Sequence, residues 1–232
     1  MNKANIIKKI VILALVLIVP GFLYYLLTSQ GKNHYVPLAY FGPRTVAKTF
    51  HKVHGKEIPD TIHHSIFDFD LIDQNGQKVS LATFKDKIVI ANFFYTHCPT
   101  VCGLVNDNIN KLLPDYTKNK NICFVSITVD PKNDSVSALK KYEKQFGAHP
   151  NRLFLTGDTA TIYNLARKGF LVNALQTGKN EFNYSDQVIL IDPNKHIRGY
   201  YKGASTAEVS TLNDEIKVLI TEVLLNKDVS LY

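Results

Sequence analysis

The sequence predicts an α/β fold, with a mostly parallel central sheet, helices on both faces, an N-terminal hairpin and one transmembrane helix ahead of it. Three observations carry that expectation. Apolar runs of strand length alternate with segments whose apolar residues recur at helical spacing, the order that builds parallel sheets. The run at 88–95 is apolar almost throughout, as a strand covered on both faces must be. The start of the chain sets basic residues before a long uncharged apolar stretch, which marks a membrane span.

Lys3, Lys8 and Lys9 precede that stretch at 10–27. At about 1.5 Å per residue it covers roughly 27 Å, close to the hydrocarbon core of about 30 Å. Ile6 and Ile7 lengthen it if the lysines snorkel, and Tyr24 and Tyr25 suit the far interface. The positive-inside rule then leaves residues 1–9 in the cytoplasm and sends the rest to the extracytoplasmic, periplasmic side. A cleaved signal peptide is the competing reading. Its apolar region is about 7–15 residues and ends in a small-x-small site. This run is longer and ends in Tyr24, Tyr25, Leu26 and Leu27, so a retained anchor is expected.

Residues 28–65 read as a tether, rich in polar residues with Gly31, Pro37, Gly42, Pro43, Gly55 and Pro59, able to lay short strands on the domain at 66–232. Alternation at 66–72 predicts a strand, and Asn75-Gly76 turns it into a partner at 77–81. The buried strand 88–95 comes next. Leu104, Ile109, Leu112 and Leu113 then repeat at near-helical spacing up to Pro114. The apolar run 122–129 is the next strand, ended by Asp130-Pro131. Asp134 or Ser135 caps a helix carrying Val136, Leu139, Tyr142 and Phe146. A short strand at 152–155 leads to a helix from Asp158 to about Arg167. Residues 171–185 have no clear period and are expected to be a loop or insertion. Strands at 188–192 and 197–201 flank the Pro193-Asn194 turn. Ser205 with Glu208 three residues on is a capping box that opens the last helix.

Composition narrows the function. The 232 residues carry a formal charge of +7, but the lysines are scattered and no Arg/Lys cluster interleaves with aromatics. A nucleic-acid face needs such a cluster, so no nucleic-acid partner is expected. A basic surface beside a membrane suits anionic headgroups or an acidic partner. There is no dinucleotide-binding glycine pattern and no phosphate loop. Of three cysteines, Cys123 lies within the apolar run 122–129 and reads as a small buried hydrophobe. The working pair is Cys98 with Cys102.

That pair sits where a buried strand gives way to a helix. Unpaired N–H groups and the helix dipole at such a junction favour a thiolate. Two sulfurs four residues apart can close a disulfide or grip a soft ion such as Cu(I). A purely structural bridge is the plain alternative, and closing so short a loop constrains the unfolded chain little.

At these residues the chain resembles the SCO/SenC family, membrane-tethered thioredoxin-fold proteins implicated in assembling the copper centre of respiratory cytochrome oxidase. The resemblance runs from about Ser65 to the C-terminus. It rests on Asn92-Phe93-Phe94-Tyr95-Thr96 leading into Cys98-Pro99-Thr100-Val101-Cys102, and on Val125-Ser126-Ile127-Thr128-Val129-Asp130-Pro131. Leu155-Thr156-Gly157, and Leu190-Ile191-Asp192-Pro193 followed by Arg198-Gly199-Tyr200-Tyr201, also match. It implies a thioredoxin-like fold and a copper site of two thiolates, Cys98 and Cys102, with one distant histidine. The position expected to hold that histidine, six residues before Leu190, is Tyr184 here, followed by Ser185. Gly103 is a second departure, where the family commonly has Pro.

Other histidines are candidates for the third ligand. His97 abuts Cys98 and is the first of them, either as a ligand or as a neighbouring cation that lowers the thiol pKa. His51, His54, His63 and His64 lie in or near the tether, and His196 sits in a turn; His34 and His149 carry no specific signal. Tyr184 is expected to pack over the cysteines, and Asp130 to order the loop beside them. Three functions are open to such a chain. The first is Cu(I) handling by the Cys98–Cys102 pair in assembly of an oxidase copper centre, with an oxidase subunit or another copper or thiol protein as partner. The second is thiol-disulfide exchange with Cys98 attacking and Cys102 resolving. The third is a non-catalytic assembly factor. Whether the chain is an enzyme stays open at this level.

Overall fold

The computed structural model describes residues 3–29, 36–53, 56–98, 101–178 and 181–229. The chain forms two compact units, Met1–Val36 and Pro37–Tyr232. The first contains helix α1, Lys3–Ser29. Its apolar stretch Ile6–Leu26 has a mean hydropathy of 2.5 and none of it is buried, so it is long and apolar enough to cross a membrane.

The second unit opens with a long hairpin, β1 Arg44–Val53 and β2 Lys56–His63, paired antiparallel with a register shift between Val46 and Phe50. These strands fall inside the segment read as a tether. Bridges from Phe41 to Ile197 and from Ser65 to His196 tie the hairpin's ends to the main sheet.

That sheet has seven strands in the order β11-β10-β5-β6-β7-β3-β4. Its members are β3 Leu71–Asp73, β4 Lys78–Val79, β5 Ile88–Phe94, β6 Ile122–Thr128, β7 Arg152–Thr156, β10 Gln187–Ile191 and β11 Ile197–Lys202. The central strands β5, β6 and β7 are parallel, and the flanking pairs are antiparallel. The strand expected over 66–72 is confined to its last residues, because Ile66 and Phe69 pack into the core without entering a ladder. The turn expected at Asn75-Gly76 is present, with Gly76 at φ 78°, where a side chain is disfavoured.

Each central strand is buried on both faces, and alternate residues serve different helices. Val89, Ala91, Phe93, Cys123, Val125 and Ile127 pack towards α4 Thr159–Asn164 and the π-turn Leu165–Gly169 that extends it. Ile88, Ile90, Ile122 and Phe124 pack towards α2 Val101–Tyr116 and α5 Thr206–Val229. Phe94 and Phe154, on that second face, meet Leu139 and Tyr142 of α3 Val136–Phe146. Helices therefore cover both faces, as the apolar strands require.

Two local expectations are corrected. Residues 171–185 hold a hairpin, β8 Ala174–Gly178 and β9 Glu181–Tyr184, with Ala174 opposite Tyr184. Most of its side chains are exposed, so the alternation that announces a strand has no apolar contrast to display. The capping box at Ser205 is half formed. Glu208 N–H lies 3.4 Å from Ser205 Oγ, but the Glu208 carboxylate accepts from Lys202 N–H at 2.6 Å. Ser205 N–H is already bonded to the Lys202 carbonyl, which leaves it no need of Glu208.

Candidate thiol and metal site

Strand β5 delivers the chain to the carboxyl edge of the parallel strands, where it turns through Tyr95, Thr96 and His97 before Cys98. The turn is held by a backbone bond from Cys98 N–H to the Tyr95 carbonyl at 3.2 Å. Pro99 and Thr100 lie outside the described residues. Helix α2 begins at Val101, so Cys102 stands in its first turn and is only 3% exposed. A disulfide joins Cys98 to Cys102 across a Cα separation of 5.9 Å, well within the range a bridge needs.

The two sulfurs are not equivalent. Cys98 is half-buried, and its Sγ accepts the Cys102 backbone N–H at 3.2 Å. That donor belongs to the unpaired amides of a helix N-terminus, which favour a sulfur anion. Cys102 Sγ instead lies 2.8 Å from Tyr184 Oη, which is also 3.3 Å from Cys98 Sγ. Tyr184 reaches this place because β9 ends there and its ring stands edge-on to Tyr95, centroids 5.7 Å apart. Burial, then the neighbouring Tyr95, pushes the Tyr184 phenol pKa above its ordinary value, so the hydroxyl keeps its proton.

The loop before Cys98 is ordered by Asp134, not by Asp130. Asp134 is wholly buried and accepts the Thr96 N–H at 3.1 Å together with the hydroxyls of Thr96 and Thr128. Asp130 serves its own turn, accepting from Asn133 Nδ2 at 2.8 Å. Ser135 takes the helix cap through a 3.3 Å bond from Ala138 N–H, which frees Asp134 to point inward. The sequence presents Asp134 only as an alternative cap. No local pattern betrays its contact with Thr96, 38 residues away.

The described histidines fall in four places. His97 is exposed, with Nδ1 3.0 Å from Thr96 Oγ1. Among the described residues no group of three His, Cys, Asp or Glu side chains is placed to hold a metal ion. His63, His64 and His196 gather at the other end of the sheet. Strand β10 pairs Val188 with Asn92 but Ile191 with Val89, so Asp192 and His196 lie by the start of β5, away from the cysteines. There His63 stacks on Tyr40 at 4.1 Å, His196 Nδ1 lies 3.4 Å from Asp192, and His64 Nε2 lies 2.7 Å from the Gly169 carbonyl. His149 contacts Thr117 at 3.0 Å, just past the end of α2 opposite to Cys102. His34 and His54 lie outside the described residues. His51 falls in β1, within the hairpin.

Cys123 is a free, buried thiol whose pKa burial raises to about 11. It takes no part in the site. Behind the pair, Tyr142 accepts from Asn106 Nδ2 at 2.7 Å, and Asn106 in turn accepts from the buried Arg152. Arg152 lies over the Phe154 ring at 4.6 Å. This polar network lies beneath the aromatic layer against which Cys102 packs.

A disulfide closed between the end of a central parallel strand and the first turn of the next helix defines a thioredoxin-fold thiol protein. Within that class the chain belongs to the SCO1/SenC family, whose description matches residues 60–220. An SCO2-like protein of Rickettsia conorii is 31% identical over 214 residues, 89% of this chain and 95% of its own length. The crystal structure of a SCO1/SenC family lipoprotein from Bacillus anthracis superposes with a TM-score of 0.63 at 26% identity, covering 68% of this chain and 95% of that one. Arabidopsis thaliana ScoI, crystallised with copper bound, gives a TM-score of 0.58 at 26% identity, covering 67% of this chain and 98% of that one.

Proposed function

We propose that this chain carries copper as cargo, taking Cu(I) on the reduced Cys98–Cys102 pair and assisting assembly of a respiratory cytochrome oxidase copper centre. The observation that carries the reading is the sulfur pair itself. Two Sγ atoms face one another at the mouth of α2, one of them half-buried and open to a partner. Cu(I) is soft and is satisfied by two thiolates, so the donor set fits. Membership of the SCO1/SenC family and the copper-bound Arabidopsis relative support it. Loading first requires the disulfide to accept two electrons and two protons from a dithiol donor. The ion then replaces the two thiol protons and passes by ligand exchange to a thiolate or imidazole of the partner. Helix α1 anchors the chain, and Lys3, Lys8 and Lys9 before it favour a cytoplasmic N-terminus and a periplasmic domain at 66–232.

The test is an anaerobic Cu(I) titration of the reduced full chain in detergent against a competing chelator, beside the Cys98→Ser/Cys102→Ser variant. Tight one-to-one binding that the variant loses is expected. Binding no better than that of a simple dithiol would sink the reading.

Thiol-disulfide exchange is the second reading, favoured by one observation. Cys98 Sγ holds a helix N-terminal amide while Cys102 is buried, the asymmetry of an attacking and a resolving cysteine. This role needs no third ligand.

A further inference from the structure

Little of the β1–β2 hairpin is covered by the domain it opens. Its strands form a two-stranded sheet of their own. The hairpin is tied at its base, where Phe41 bridges Ile197, Ser65 bridges His196 and His63 stacks on Tyr40. The register sets Val46 and Phe50 opposite Thr61 and Pro59 on one face, and puts Ile58 and Ile62 on the other. All four apolar side chains are exposed, Val46 by 73% and Phe50 by 61%. A hairpin that buries neither face is marginal in water, so these strands call for a covering that the domain does not supply. The charge leans one way as well. Arg44, Lys48, Lys52 and Lys56 are all exposed, and the only acidic residues between 44 and 63 are Glu57 and Asp60.

We propose that this hairpin docks on the anionic phospholipid headgroups of the bilayer that α1 crosses, an inference that rests on the anchor reading above and not on copper. Three observations favour lipid over a protein partner. Apolar residues on both faces need to be surrounded; a protein surface covers one face, whereas the boundary between headgroups and acyl chains wets both. The basic side chains can lay their stems along that boundary and keep their charges among the phosphates. The third is reach. Helix α1 ends at Ser29 and β1 begins at Arg44, so the fourteen residues 30–43 span at most about 50 Å. Docking is then intramolecular in effect, and a weak surface affinity suffices. Depth is limited by the backbone. The outer edge of each strand has no strand partner in this two-stranded sheet, and hydrocarbon cannot satisfy its N–H and C=O groups, so the hairpin lies at headgroup depth and does not span. Its lysines also oppose edge-to-edge pairing of two such hairpins. A second attachment to the bilayer restricts how the domain tumbles on its tether, and so the orientations in which Cys98 can meet a membrane-bound partner.

The chain contains no Trp, so Phe50→Trp makes a single reporter at an exposed position. The full chain is reconstituted in phosphatidylcholine vesicles with and without phosphatidylglycerol, and in a parallel set whose phosphatidylcholine carries brominated acyl chains. In the anionic vesicles the indole emission should shift to the blue and be quenched by bromine. Both effects should weaken with added salt and be lost when Lys48→Glu, Lys52→Glu and Lys56→Glu are combined with the reporter. In the wild-type chain, hydrogen exchange over residues 44–63 should slow in anionic vesicles relative to zwitterionic ones. Water-like, unquenched emission with exchange unchanged overturns the inference, while flotation of the chain with the vesicles leaves the anchor reading intact. A chain that does not float with the vesicles after a carbonate wash overturns both. A blue shift without bromine quenching, equal with and without phosphatidylglycerol, assigns the hairpin to a second copy or another protein and also overturns the inference.

Discussion

The carboxylate of Asp134 receives both the backbone N–H and the hydroxyl of Thr96, two residues before the first cysteine. It also takes the Thr128 hydroxyl, so one buried side chain clamps the ends of β5 and β6 together. The cysteine loop is anchored from beneath by a group that never touches sulfur.

Asp134→Asn should show how much that clamp matters. An amide keeps one acceptor but turns a donor towards Thr96 or Thr128. Losing hydrogen bonds to a buried charge costs about 1.5–3 kcal/mol. The urea midpoint should fall accordingly with an unchanged slope, and the loop before Cys98 should lose protection in hydrogen exchange. An unchanged midpoint would show that the contact is incidental.

Arg152 should be worth most through the partners it satisfies. It is 2% exposed, and its guanidinium donates to Asn106 and Asn110 while burial lowers its pKa to about 10. Arg152→Met leaves those amide oxygens unanswered, at about 1–3 kcal/mol for each buried acceptor. Adding Asn106→Leu to Arg152→Met should recover part of the loss in a double-mutant cycle. Simple additivity would sink the account.

Thiol labelling should separate the three cysteines. In the native oxidised chain no thiol should react with iodoacetamide at pH 8, because Cys98 and Cys102 are bridged and Cys123 is buried with its pKa raised to about 11. Unfolding without reductant should release one reactive thiol, and Cys123→Ala should abolish it while leaving Cu(I) binding untouched. Mass spectrometry of the labelled peptides decides between this and an alternative bridge.

Acid should weaken the folded domain through two histidines. His63 has its pKa lowered from 6.5 by burial first, then by Arg44, His196 and Arg198, with Asp192 opposing. His149 is lowered by burial and then Arg152. In both cases the unfolded chain binds protons more readily. Their contribution is therefore full above about pH 6.5 and is lost as pH falls through the folded values. Thermal midpoints should drop from pH 7 towards 5, and the fall should be shallower in His149→Gln and in His63→Phe, which keeps the ring on Tyr40. An equal slope in both variants would place the acid sensitivity elsewhere.

The order of strands and helices was legible because it rests on local repetition. Apolar runs at β5 and β6 announce strands buried on both faces, and the position of Cys98 and Cys102 after β5 announces a thiol pair at a helix mouth. The buried role of Cys123 was legible for the same reason. The hairpin β8–β9 was not, because its exposed side chains carry no periodic contrast. Nor was the choice of Asp134 over Asp130, since both sit in the same turn and differ only in which one faces Thr96.

By itself, then, the sequence determined the elements, the apolar N-terminal helix and the two sulfurs, all of which depend on residues near one another in the chain. Tertiary structure decided what surrounds those sulfurs. It brought Tyr184 to Cys102 across 82 residues and Asp134 to Thr96 across 38. It also carried His63, His64 and His196 to the opposite end of the sheet, because β10 runs antiparallel to β5 and so leads the chain away from the cysteines. Strand direction and register arise only when the sheet assembles, and no local pattern of residues encodes them.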